Sequence, residues 1–515
     1  MTESIAALRP DSSIAGARPW ALSWRVCICL LLIVHVSVWT WVGVVGRSNL
    51  DMPGDMVEAY GWGQSFEWGY FKHPPLSAWI VGAWFSIVPE GHLGYAVLAA
   101  LNAAVGLAGI AVLARRLLPP DWALLCVAAA ALTPGITTLA MRFNANAVLV
   151  STWPWAIAMF VRMMQDGRRR DAVMCGVACA LAMLGKYYSG VLLASLLICG
   201  LMLPAWRQRF ATLTPWLAIA TMLVCLAPHA NWLLAQTDGP IQYAQAAAHE
   251  SHAAATMRAL HFGLAQWLFP LLAFGLLALA VDRDRRGAAV LAALTCLVRP
   301  RREAVWFLAV MPIVATMAAT MITGARTASV WGLPIAAGVS VLALSRARGT
   351  GARIDLQRAA HGLIGAWLLV VVLAPMLWLY SARLGSAGAS EPREELAAEI
   401  DKRWQQQFGG RLPWVTGTRV LAESVAFYAS SHPRYWSFWN TALETPWADS
   451  ARVFTDGGVV ICADTDTLCA DHAAEWSPHW QNITVAKHRQ GFDFSPRHYL
   501  MFVLPPKAPI LLANH

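Results

Sequence analysis

Apolar segments close to twenty residues long follow one another along this chain until about residue 381, and that succession decides what it can fold into. A helix needs about 20 apolar residues to cross a bilayer, because each residue advances it only about 1.5 Å through a hydrocarbon core about 30 Å thick. The candidate segments are 25–46, 92–114, 121–140, 147–165, 172–187, 189–206, 211–235, 259–281, 304–323, 331–346 and 360–381. They predict an all-α polytopic membrane domain with about 11 transmembrane helices. Segments 172–187 and 189–206 almost touch, so a tight hairpin is expected there. The stretch 76–88 is too short to span easily and reads as interfacial or re-entrant, and 287–298 is ambiguous in the same way. Composition agrees: 57% of residues are hydrophobic and 13% charged, where a soluble domain carries about 25% charged residues.

Cytoplasmic loops hold the excess of Lys and Arg. With the N-terminus inside, Arg115-Arg116, Arg168 to Arg170, Arg207 with Arg209, Arg283 to Arg302 and Arg346 to Arg358 all fall inside. The outer loops are then 47–91, 141–146, 187–189, 236–258, 324–330 and a tail from 382. This topology accounts for the net charge of +9, so nucleic acid is not a predicted partner. Val26 to Val45 follows Arg9, Arg18 and Arg25, is longer than a signal-peptide core and lacks an A-x-A site, so it reads as an uncleaved helix. The expected organisation is a cytoplasmic N-terminus (1–24), a transmembrane domain (25–381) and a small C-terminal α/β extracytoplasmic domain (382–515). In that tail, 391–407 reads as a helix and 459–463 and 499–506 as strands. Most cysteines sit in apolar runs as small hydrophobes. Cys462 and Cys469 lie in the tail, where a disulfide requires an oxidising compartment.

The stretch Asp51 to Pro75 (DMPGDMVEAYGWGQSFEWGYFKHPP) is unlike its surroundings. Asp55 and Glu58 are three apart, on one face of a helical turn, and Asp51 lies one turn earlier. Such acids serve as general bases, metal ligands or solvated loop residues. The rings of Trp62, Trp68, Tyr70 and Phe71 suit an interfacial aromatic belt. Lys186 lies between two apolar segments, where a lysine is costly unless it snorkels to the surface or is used. Arg326 and Arg142 in short outer loops read equally as ordinary surface arginines, and Lys72 as a headgroup contact. His229 and Asn231 suit a hydrogen-bonded pair between helices. Tyr243, His249, Glu250 and His252 fall in a loop that would cover the site; His249 with His252 is a poor metal pair. Asn482-Ile483-Thr484 spells a glycosylation site, with chance as the default explanation.

The order of a first span, an acidic loop with D-M-V-E-A-Y, then W-G-Y-F-K-H-P-P-L resembles bacterial membrane glycosyltransferases related to protein O-mannosyltransferases and to lipid A aminoarabinose or galacturonic acid transferases. Arg142-Phe143-Asn144-Ala145-Asn146, Gly185-Lys186-Tyr187-Tyr188-Ser189 and Gly324-Ala325-Arg326 before Trp331 and Pro334 continue the series. The resemblance covers about residues 25–381 and implies a GT-C fold and a polyprenyl-phosphate-linked sugar donor. It implies transfer of a monosaccharide to a lipid, glycan or protein acceptor, with inversion, at the outer face of a bacterial inner membrane. A base must take the acceptor's proton and cations must meet the departing phosphate. The resemblance aligns the base with Asp55. Many relatives have adjacent acids, so Glu58 and Asp51 stay as alternatives. Lys186 and Arg326 would hold phosphate, with His73, Lys72, Tyr60, Arg142 and Tyr187 as further substrate contacts. No protein-made metal site is read; a divalent cation beside the acids is the one cofactor this chemistry admits. A transporter or flippase of lipid-linked sugars is the second reading. It predicts mid-span charges and inverted repeats, whereas these charges cluster in outer loops.

Overall fold

The structure is a computed structural model that describes residues 23–236, 239–246, 251–478 and 480–507. Its helices are α1 (Trp24–Val45), α2 (Asp55–Gly63), α3 (Leu76–Phe85), α4 (His92–Leu117), α5 (Pro120–Ala130), α6 (Ala147–Asp166), α7 (Arg169–Gly185) and α8 (Gly190–Met202). They continue with α9 (Pro204–Arg207), α10 (Leu213–Ala235), α11 (Pro240–Ala246), α12 (His252–Leu268), α13 (Leu271–Ala280), α14 (Arg286–Leu294) and α15 (Ala304–Thr323). After a 3-10 turn at Ser329–Ile335 come α16 (Ala336–Arg348), α17 (Leu356–Arg383) and α18 (Ala387–Ser390).

Among the described residues, eight helical stretches are long and apolar enough to cross a membrane, and a bent pair at 187–211 makes up to nine. They coincide with nine of the eleven expected segments. The differences have physical causes. The segment expected at 121–140 is helical only as α5, and turns follow from Ala131, just before Pro134. At 17 residues, α7 reaches about 26 Å, just short of the hydrocarbon core. The expected hairpin does not close: α7 packs on α6 and α10, while α8 packs on α15. Stretch 287–298 holds the short α14, and 76–88 the short α3.

The chain's reversals sort the connections to two ends. One end gathers the starts of α4 and α6, the finishes of α1, α7, α10 and α17, and the tail. The other end gathers the arginines. Arg116 pairs with Asp166 at 2.7 Å, Arg162 with Asp171 at 2.9 Å and Arg346 with Glu303 at 3.3 Å.

The tail holds α19 (Arg393–Phe408), β1 (Trp414–Gly417), α20 (Arg419–Tyr428), β2 (Arg434–Tyr435), α21 (Thr441–Glu444), α22 (Ser450–Asp456), β3 (Gly458–Ala463), α23 (Thr467–Trp476), β4 (Trp480–Val485), β5 (His488–Arg489), β6 (Phe492–Asp493) and β7 (Arg497–Leu504). Five strands form one sheet in the order β2-β1-β3-β7-β4. β1 runs parallel to β2 and β3, and β7 antiparallel to β3 and β4. Alternation along β3 divides the core: Val459 and Ile461 pack with α19 and α20, while Val460 and Cys462 face α22 and α23. Cys462 and Cys469 form a disulfide. The β5–β6 hairpin docks the tail on the helices, with Phe492 edge-on to Trp378 of α17 and Arg489 donating to the Val44 carbonyl at 2.7 Å.

The loop between α1 and α4 is held by a glycine crossing. A Cβ on Gly82 of α3 would stand 2.3 Å from the Gly63 carbonyl, and one on Gly63 of α2 would stand 2.7 Å from the Gly82 nitrogen. The two backbones touch, and no side chain fits between them. Gly82→Ala should therefore lower stability by about 1–3 kcal/mol through overpacking, read as an earlier thermal unfolding midpoint in detergent; an unchanged midpoint would show that α2 and α3 are not in backbone contact.

Candidate active site in the first loop

The three acids of the loop sit close in sequence and have three different environments. α2 begins at Asp55 because the chain reverses at Gly54, whose φ of +85° suits glycine. The Asp51 carboxylate accepts from the Asp55 N–H at 3.0 Å and the Met56 N–H at 3.2 Å. It thus satisfies amides left open by the first turn of the helix. The Asp51 backbone carbonyl accepts from Arg393 at 2.6 Å, and Arg142 approaches the carboxylate at 3.9 Å. Burial, followed by the neighbouring Asp55, raises the Asp51 pKa above the usual carboxylate range.

Glu58 is buried and doubly paired. One oxygen meets Lys72 at 2.7 Å and Arg419 of α20 at 2.8 Å. Burial pushes its pKa up, against the pull of both cations. Lys72 also lies 5.6 Å and 5.5 Å from the ring centres of Trp62 and Phe71.

Asp55 is partly exposed and accepts one hydrogen bond, from Asn144 Nδ2 at 2.9 Å. Its second oxygen has no partner among the described residues. Asn144 Oδ1 in turn accepts from the Asn146 and Ala147 N–H groups at 2.9 and 3.0 Å, which fixes the entry to α6. Asn146 Oδ1 accepts from Lys186 Nζ at 2.6 Å. Two asparagines thus join the carboxylate of Asp55 to the ammonium of Lys186. Lys186 follows the last residue of α7 in extended conformation and is 8% exposed. Its Nζ lies 4.3 Å from the ring centre of Trp331. Among the described residues it makes no ion pair: its contacts are an amide oxygen and an indole face, and the Asp55 carboxylate acts on it from farther off.

The other expected residues divide. His73 lies in the field of Lys186 and Lys72; desolvation and both cations push its imidazole well below the usual range, so it is neutral. The Tyr187 hydroxyl meets His229 Nε2 at 3.1 Å, and His229 Nδ1 bonds the Trp68 carbonyl at 2.6 Å. Asn231 is exposed, and His229 partners Tyr187 and Trp68 rather than Asn231. Tyr60 is directed elsewhere: its hydroxyl donates to Glu90 at 3.2 Å and its ring packs on Phe427. Arg326 is exposed in the connector before Trp331. Arg142 is half-exposed. Trp62 and Tyr70 are buried and stacked at 4.9 Å, so they are interior rings and not an interfacial belt. His249 and Glu250 lie outside the described residues, while Tyr243 places its ring edge-on to Phe71.

Asn144, Asn146 and Trp331 are not marked as site residues by the sequence, although they lie in stretches that carry the family resemblance. Arg393, Arg419 and Glu423 do not stand out in it at all. Their available signal was an Arg and a Glu four apart on the apolar face of α20, which ordinarily reads as a surface pair.

A family model described as dolichyl-phosphate-mannose-protein mannosyltransferase matches residues 72–232. The lipid A galacturonosyltransferase RgtD of Rhizobium johnstonii is 25% identical over 264 residues, 50% of this chain and 54% of that protein. The chain thus spans about half the length of this curated relative in the match. The crystal structure of ArnT from Cupriavidus metallidurans bound to undecaprenyl phosphate superposes with a TM-score of 0.60 at 15% identity, covering 93% of this chain and 98% of that one. Its apo form gives 0.58 at 16% identity with the same coverage. The likeness is one of fold, and it includes the small sheet-bearing tail, since it runs over nearly the whole of both chains. In architecture the chain shares the GT-C-type membrane fold of ArnT, and over residues 72–232 its sequence is similar to the dolichyl-phosphate-mannose-protein mannosyltransferase family.

Proposed function

We propose that the protein is an integral membrane glycosyltransferase that moves a monosaccharide from a polyprenyl-phosphate carrier to a hydroxyl of an acceptor. The observation that carries this reading is the buried, ion-pair-free Lys186 joined through Asn146 and Asn144 to the open carboxylate of Asp55. A buried ammonium is expensive unless an anion meets it. A sugar phosphodiester supplies that anion, and its leaving phosphate gains charge as the glycosidic bond breaks. Lys186 stabilises that developing charge. Asp55 Oδ1 accepts the proton of the incoming hydroxyl as the oxygen attacks the anomeric carbon from the opposite face, which inverts its configuration. Asn144 holds the other oxygen and fixes the carboxylate's orientation. His73 is neutral and is available as a hydrogen-bond partner to donor or phosphate, and Arg326 and Tyr187 border the same end of the molecule.

Of the three acids, Asp51 is occupied with helix amides and Glu58 with two cations, which favours Asp55 as the base. A divalent ion is a further expectation. Among the described residues no three His, Cys, Asp or Glu side chains converge on one point, so an ion at Asp55 would complete its shell from donor phosphate and water. ArnT, whose fold the chain shares, is known with undecaprenyl phosphate bound, and RgtD is named for lipid A. A lipid acceptor is therefore the first to test, with glycan and protein acceptors next. The arginine-rich end on the cytoplasmic side follows the positive-inside rule. That supports a periplasmic site and tail at a bacterial inner membrane, an oxidising setting that suits the Cys462–Cys469 disulfide.

Membranes carrying the protein should transfer radiolabel from a panel of undecaprenyl-phosphate galacturonate, mannose and aminoarabinose to extractable lipid. Asp55→Asn should lower that transfer by about 10²–10⁴-fold, the usual contribution of a positioned base, while undecaprenyl phosphate still binds. Wild-type rates in a folded Asp55→Asn protein would remove Asp55 from this role. Lys186→Ala should weaken undecaprenyl phosphate binding by roughly ten- to a hundredfold, the equivalent of about 1.5–3 kcal/mol for a hydrogen bond to a charged group. Undiminished binding would place the phosphate elsewhere.

A further inference from the structure

Helix α20 of the tail lies along α2, and the first turns of the two helices meet. The Val420 methyls stand 3.0 and 3.1 Å from where a side chain on Gly54 would begin, one residue before Asp55. Arg419, next to Val420, donates to Glu58 at 2.8 Å, on the oxygen that Lys72 also holds. Further along, the Phe427 ring packs edge-on against Tyr60, 5.0 Å between centres. Four residues after Arg419, Glu423 is 2% exposed, and its Oε2 has no hydrogen-bond partner. Burial, followed by the nearby Glu58, pushes the Glu423 carboxyl well above the usual carboxylate range, against the pull of Arg419. Arg419 lies in the field of both acids, and its hydrogen bond goes to Glu58.

Nothing in the proposed chemistry uses this cluster, yet it joins tail and loop through an ion pair of 2.8 Å. Glu58 lies one helical turn from Asp55. Any slide or rotation of α2 that breaks the Glu58 contact also moves the Asp55 carboxylate. We infer that Arg419 is a positioning residue: α20 grips α2 through Glu58 and Gly54, and that grip sets where Asp55 presents its open oxygen. The functional half of this inference rests on the transfer reading above; the grip itself does not.

Two readouts on the full chain in lipid nanodiscs test it. In Arg419→Met, amide hydrogen exchange should quicken across 55–63, with Arg419→Lys returning it toward wild type. The double variant Glu58→Gln/Arg419→Met should also exchange more slowly than Arg419→Met, because no buried carboxylate is left short of a partner. For whichever undecaprenyl-phosphate sugar the wild type uses, kcat in Arg419→Met should fall about 10- to 100-fold, as expected for a misplacement near 1 Å. Binding of undecaprenyl phosphate alone should stay at the wild-type value, and Arg419→Lys should recover part of kcat. Val420→Ala, which removes only methyl groups against Gly54, should lower kcat in the same direction if Arg419→Met fails to fold. Unchanged exchange in Arg419→Met, or in Val420→Ala where that variant stands in, overturns the grip. Faster exchange with unchanged kcat overturns the positioning role, as does loss of undecaprenyl phosphate binding in parallel with kcat, which marks general damage. A wild type that transfers none of these sugars defeats the transfer reading, and exchange still decides the grip.

Discussion

Charge taken out of water dictates the arrangement of the loop between α1 and α4. A carboxylate or ammonium that loses its hydration must find a partner or change its protonation state. Glu58 finds two cations, one from its own loop and one from a residue 361 positions along the chain. Asp51 finds two helix amides, and its backbone carbonyl takes the Arg393 guanidinium. Among the described residues Lys186 contacts an amide oxygen and an indole, with the Asp55 carboxylate farther off. Where pairing is complete, the residues fix the loop; Asp55 and Lys186, where it is incomplete, are the two to which the proposed reading assigns the chemistry.

The tail follows from the same constraint. Its sheet builds a core on both faces, with α19 and α20 on one side and α22 and α23 on the other. α20 also has a second task, because its other face closes over α2. Phe427 belongs to the membrane domain's core cluster while its neighbours on α20 belong to the sheet. The tail is thus packed into the loop, and the β5–β6 hairpin and Arg393 anchor it at separate points. A five-stranded sheet at the end of a helical bundle therefore bears on the geometry of a membrane-side carboxylate.

Much of this was legible in the sequence. Apolar length located nine of the helical stretches, since the bilayer's thickness sets a minimum that composition alone can meet. Short β-like runs between Gly and Asp turns located β3 and β7. The acidic loop and Lys186 stood out because charge beside apolar segments is costly. What failed did so for identifiable reasons. Segment 121–140 is apolar throughout, but Pro134 and the turns around it end the helix early. Length suggested that α7 and α8 would pair, yet each buries its face against another helix. The choice among Asp51, Asp55 and Glu58 could not be read from spacing. It depends on Arg419 and Asn144, which the fold brings from 361 and 89 residues away.

Lys186 and Asp55 are proposed to face one donor-phosphate site. The most direct measurement is an experimental structure of the full chain with undecaprenyl phosphate bound in a lipid nanodisc. The account predicts phosphate density within hydrogen-bond reach of Lys186 Nζ, on the side where Asp55 presents its open oxygen. Phosphate density seated instead in the cavity of about 220 Å³ lined by Arg47, Asn49, Arg142 and Trp378, with Lys186 still capped only by Asn146 and Trp331, would contradict it.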